Sequence, residues 1–115
     1  MAYARPMKPI VWVGSAKADL KALPAPVVDD MGHQLFRVQC GLEPDDWKPM
    51  PSVGVGVKEI RVRDASGAFR TVYLATRPEA VFVLHCFRKS SQKTAQRDIE
   101  LARQRLNRLP RAPHG

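Results

Sequence analysis

Three apolar-rich stretches, VKEIRVRD, FRTVYLAT and VFVLHCFRK, carry the side chains with chemistry to offer. Arg61 and Arg63 alternate with Ile60 and Val62 in the first, Tyr73 stands in the second, and His85, Phe87 and Lys89 alternate with Leu84, Cys86 and Arg88 in the third. Successive side chains of a strand point to opposite faces, so each alternation gathers its polar members on one side. Guanidinium and ammonium groups pair with phosphates in a salt-dependent way. Phe87 or Tyr73 can stack on unpaired bases. An unperturbed imidazole titrates near neutrality, which makes His85 a candidate to accept or donate a proton. Such a set suits RNA and the cutting of RNA. The substrate supplies its own nucleophile, the 2′-hydroxyl. The protein has only to align the attack, move a proton and neutralise charge on the phosphorane-like transition state. That chemistry needs no metal or other cofactor. None is expected, because His33, His85 and His114 are far apart and no Cys, His or carboxylate cluster has ligand spacing.

Each residue also has a plainer reading. His85 between apolar neighbours can be a packed, hydrogen-bonded histidine, and Phe87 can be core. Arg61 and Arg63 can form a solvated face with Glu59, Lys89 and Lys93 can be loop charges, and Trp47 can plug a loop. Charge distribution argues for the functional reading. Residues 1–57 carry six Lys/Arg and six Asp/Glu, whereas residues 88–115 carry eight against two, within a total of +8. A positive charge gathered toward one end points to a polyanionic partner, most often nucleic acid or an acidic protein. Its alternative is a solvated basic helix. Cys40 and Cys86, far apart and in apolar surroundings, read as reduced core thiols of a cytosolic protein. The apolar run at 10–13 is too short for a signal peptide, and no stretch approaches the ~20 apolar residues that span a bilayer. The expectation is a soluble, cytoplasmic chain with no membrane contact, folded as one domain over 1–115 with a core at about 8–109 and short flexible termini.

The elements that must position these residues follow from periodicity. The run 10–13 reads as a strand broken by Gly14, with Ser15 as N-cap of a helix over 16–23 that ends at Pro24. Pro26 opens a second helix in which Val27, Val28, Met31, Leu35 and Val38 share a face, stopped by Gly41. The segment 43–56, rich in proline and glycine, reads as a loop. Three strands joined by the turns DASGA and RPEA then make an antiparallel meander, the last over 81–88. Thr94 is the expected N-cap of a final helix striped by Ala95, Ile99, Ala102, Leu106 and Leu109 and ended by Pro110. Arg97, Arg103, Arg105 and Arg108 lie mostly off that stripe. The fold class is α+β, in the order β-α-α-β-β-β-α, with helices over one face of a mostly antiparallel sheet. The opposite face would stay open. On it Glu59, Arg61 and Arg63 would meet His85, Phe87 and Lys89, while Phe82, Leu84 and Cys86 turn to the core.

Two blocks, VKEIRVRDASGAFRTVYLAT and VFVLHCFRKSSQKTAQRDIELARQRL, resemble the RelE-like toxins of bacterial type II toxin–antitoxin modules, within the RelE/ParE superfamily. The resemblance is closest to the HigB-like branch of phage-related proteins. It rests on Glu59-Ile60-Arg61, on Phe69 to Tyr73, and on Leu84 to Lys89. Gln92-Lys93-Thr94 and Ile99, Glu100, Ala102 and Arg105 extend it. It implies a RelE-like fold, a toxin that cleaves mRNA in the ribosomal A site, and neutralisation by a small antitoxin, usually a helix-turn-helix protein. By resemblance, Arg61 and Arg70 would hold the scissile phosphate and His85 would be the acid/base. Lys89 and Lys93 would bind flanking phosphates or stabilise the leaving group, Phe87 or Tyr73 would stack on a base, and Arg97 with its helical neighbours would meet ribosomal RNA. The chain departs from the pattern at Arg88, where the family often has Lys, and at Ala95, where it often has Pro. Some relatives poison DNA gyrase instead. A basic module that binds only RNA or antitoxin is the third reading.

Overall fold

In the computed structural model, which describes residues 7–111, the elements run β1 (Ile10–Trp12), α1 (Ala16–Lys21), α2 (Ala25–Gln39), β2 (Trp47–Pro49), β3 (Val57–Asp64), β4 (Gly67–Leu74), β5 (Val81–Lys89) and α3 (Gln96–Asn107). The five strands form one sheet in the order β1-β5-β4-β3-β2. β3, β4 and β5 make the antiparallel meander that their alternation and turns foretell, and β1 adds to β5 in parallel. The fold is α+β. β2 lies inside the segment expected to be a loop. It is three residues long and pairs Trp47 with Ile60 at the edge, where Pro49, which has no N–H, does no harm. So short a strand has no periodicity to read.

Helices cover both faces of the sheet, not one. On the first face Leu20 of α1 and Val27, Met31, Leu35 and Val38 of α2 pack on Ile60, Val62, Phe69, Tyr73 and Val83. On the second, Ala102, Ile99, Leu106 and Leu109 of α3 pack on Val72, Leu74, Phe82 and Leu84. The amphipathic stripe of α3 had to find an apolar surface, and this end of the second face is the one that offers it. Each fully buried aliphatic or aromatic side chain contributes about 1.5–3 kcal/mol, so two such layers outweigh the gain from leaving the face open. Among the described residues, the β3–β4 end of that face is left open.

An extra residue in β5 sets which side chains reach that open end. Tyr73 pairs with Val83 but Val72 pairs with His85, so Leu84 is left over as a bulge. The bulge shifts the phase of the strand. Phe82 and Leu84 therefore share the α3 face with Phe87, and Cys86 turns to the α1–α2 face. Strict alternation had placed Phe82, Leu84 and Cys86 together.

Two expected caps have other work. Ser15 occupies the N-cap position of α1, but its hydroxyl donates to Asp19 Oδ2 at 2.8 Å and makes no cap bond. Ala95, not Thr94, caps α3, and the Thr94 hydroxyl reaches β3 instead. Gly14 turns the chain at φ 59°, and a Cβ there would meet Arg105 Nε at 2.7 Å. No helix among the described residues is long and apolar enough to cross a membrane. His114 lies outside the described residues.

Candidate nucleic-acid interface

The β3–β4 ladder sets Arg61 directly opposite Arg70 and Arg63 opposite Ala68. The β4–β5 ladder sets Arg70 opposite Phe87 and Ala68 opposite Lys89. Arg61, Arg63, Arg70 and Lys89 consequently border one open hollow of about 690 Å³, between the β3–β4 turn and the segment that follows β5, with Ser90 and Gln92 on its rim. Four cations drawn from three strands converge on the hollow, against one carboxylate in its lining, Asp64.

Their supports differ. Arg61 is half-exposed and its Nε lies 3.0 Å from Asp46 Oδ1. Arg70 is only 4% exposed. Its Nη1 donates to Phe69 O at 3.0 Å, and its Nε lies 3.4 Å from Glu59 Oε1, close but not in hydrogen-bond geometry. Glu59 is wholly buried beneath it. Lys48 Nζ approaches the same Oε1 at 3.8 Å, and Thr94 Oγ1 donates to Oε2 at 3.0 Å. Burial pulls the Arg70 pKa below the usual arginine value; Glu59 opposes that, and Arg61 and Arg63 add to it. Lys89 is also held below the usual lysine value, first by desolvation and then by the charges of Arg70 and Lys48. The like-charge part of each shift, from Arg61 and Arg63 on Arg70 and from Arg70 and Lys48 on Lys89, is the part that an anion in the hollow would relieve. Opposite unit charges about 4 Å apart attract by about 4 kcal/mol at an effective dielectric of about 20. One phosphate among these cations therefore relieves their repulsion and gains several such contacts.

His85 does not border the hollow. It is 7% exposed, and its ring stacks on Phe87 with centroids 4.6 Å apart. Its Nε2 lies 2.7 Å from Asp98 Oδ1 on α3. A carboxylate only accepts, so Nε2 carries the hydrogen in that contact. Nδ1 is buried without a partner. Both ring nitrogens are thus withdrawn from the cations, and the imidazole ties α3 to β5. Phe87, beneath it, is buried. Tyr73 is not part of the assembly. It sits 1% exposed on the opposite face, among the α1–α2 core, where burial pushes its phenol pKa up. It cannot stack on a base from there. Lys93 and Arg97 are exposed but outside the hollow's lining, on the segment before α3 and on its first turn. Arg88 faces away from the hollow, over the ring of Phe69, and donates to Ser66 O at 2.5 Å.

Sequence reasoning missed Glu59 as a hub, Lys48 and Thr94 as its partners, Asp98 as the histidine's partner, and Arg105. A signal for Glu59 existed: an acid on the arginine face of a strand calls for a cation. Arg105 had none, because a buried arginine on a helix reads like an exposed one. Its Nη1 donates to Leu84 O at 2.8 Å and its Nη2 to Ser15 Oγ at 2.8 Å. Among the described residues no cluster of three or more His, Cys, Asp or Glu side chains could hold a metal ion.

The chain is an α+β protein: a meander with a parallel added strand, a helical pair on one face, a terminal helix on the other and a cationic hollow beside it. Residues 18–107 match the family described as phage-derived protein Gp49-like (DUF891), and the chain belongs to that family of RelE/toxin-like proteins. No curated protein matches the chain.

Proposed function

We propose that this protein is the toxin of a type II toxin–antitoxin pair, in the HigB-like branch, and that it cuts mRNA on the ribosome in the cytoplasm. The observation that carries this reading is the convergence of Arg61, Arg63, Arg70 and Lys89 on one open hollow. Membership of a family of toxin-like proteins is consistent with it. In the proposed reaction the substrate 2′-oxygen bonds to phosphorus, the P–O5′ bond breaks, and a 2′,3′-cyclic phosphate and a 5′-hydroxyl result. The 2′-hydroxyl proton passes to solvent. Arg61 and Arg70 hold the non-bridging oxygens and oppose the charge that grows on them. Lys89 delivers a proton to O5′, a role suited to an ammonium whose pKa is lowered. His85 supports the site from below through Phe87 and Asp98. Arg63 binds a flanking phosphate, and Lys93 and Arg97 extend the basic surface toward ribosomal RNA. The partner that silences the toxin is a small helix-turn-helix antitoxin.

Inducing the protein in bacteria and mapping new mRNA 5′ ends tests the proposal. In-frame cuts within translated codons are expected, and Arg70→Ala should abolish both cuts and growth arrest. Arrest with intact mRNA and damaged DNA would point to gyrase poisoning and overturn the nuclease.

A further inference from the structure

Glu59 is a buried acid that the cleavage chemistry above does not use. Its carboxylate joins four segments: β3, which carries it, β4 through Arg70, β2 through Lys48, and the segment before α3 through Thr94. One oxygen faces two cations, and the other takes the Thr94 hydroxyl. It is wholly buried and does not border the hollow. Arg70 separates it from any phosphate bound there. An arginine with 4% exposure would recoil from Arg61 and Arg63 unless an anion stood behind it. Leaving such a charge buried and unpaired is strongly destabilising.

We propose that Glu59 is the positioning residue of this site: clamped at one oxygen by Thr94, its carboxylate aims Arg70 into the hollow and exchanges no proton with substrate. The cation side of the clamp extends to Lys48, so the short edge strand β2 is registered to the same carboxylate. Thr94 makes the segment that follows Lys89 part of the device. Movement of that segment would release Glu59 and, through it, Arg70.

The effect on cleavage rests on the nuclease reading; the effect on Arg70 does not. The test therefore has two arms on the full chain. In the first, NMR follows hydrogen exchange of the Arg70 Nε–H, assigned with Arg70→Lys. In Glu59→Gln, exchange should quicken by about tenfold or more, because the buried anion 3.4 Å from that N–H is lost. Thr94→Val, which leaves the ion pair in place and disturbs folding less, should quicken it by a smaller factor. Unchanged exchange in Thr94→Val, or in a folded Glu59→Gln, would overturn the proposal whether or not the protein cuts RNA. In the second arm, the rate–pH profile of RNA cleavage is compared. Glu59→Gln should lower the rate by ~10²-fold, as misplacement by about 1 Å does, with the profile's shape kept. Loss of the acid limb would make Glu59 the proton acceptor and overturn its positioning role.

Discussion

Desolvation first, and then the charges of Arg70, Lys48 and Arg61, hold the Lys89 ammonium below the ordinary lysine value of 10.5. A proton donor works only while protonated. Cleavage should therefore fall as pH rises, with a midpoint below 10.5, and a rate–pH titration checks this. Lys89→Arg should move that fall beyond the measurable range, because guanidinium stays charged. Cys86 gives a second handle at this scale: burial pushes its thiol up to about 12, so it is inert in the folded chain. Cys40, half-exposed, should react first with a maleimide at neutral pH, and Cys86 only as the core opens, which mass spectrometry can time. Much of the cation set was legible. Period two put Arg61 and Arg63 on one face, and the meander brought Lys89 near them. The partners were not legible, since alternation names a face but not the side chain across it. Tyr73 and the imagined stacking surface failed for the same reason: a ring on a strand looks alike whichever layer buries it.

At the scale of elements, the bulge at Leu84 and the docking of α3 act together. The bulge carbonyl accepts from Arg105 Nη1, and Arg105 also reaches Ser15 beyond Gly14, so one guanidinium fastens α3 to β5 and α1. Arg105→Ala should lower unfolding free energy by about 2–3 kcal/mol, the loss of charged hydrogen bonds, read as a lower urea midpoint with unchanged m. Gly14→Ala should destabilise as well, because alanine is strained at φ 59° and its methyl meets that same guanidinium. Sequence periodicity found α1, α2 and α3 within a few residues of their observed ends. It could not find the bulge, because one surplus residue leaves a run as apolar as VFVLHCF unaltered in composition. From that single residue follows the wrong face for Phe82 and Leu84, whereas Cys86 and Phe87 lie on opposite faces as alternation has them.

Over the whole molecule, charge is as uneven in space as it is along the chain. The net excess of residues 88–115 reaches the hollow through Lys89 and runs on along α3. If the four lining cations each displace one counter-ion from single-stranded RNA, log affinity should fall against log salt with a slope of about −3. Binding of an uncleavable 2′-O-methyl RNA across a salt series measures it, and Arg63→Ala should flatten the slope by about 0.7. The sheet that carries this charge has margins of only three residues, β1 on one side and β2 on the other. A rim that brief gives an incoming strand little ladder to copy. Crowded molecules should thus meet through their basic surfaces, which repel, and not zip together into fibres, so a cell could hold a reserve of the protein without its precipitating.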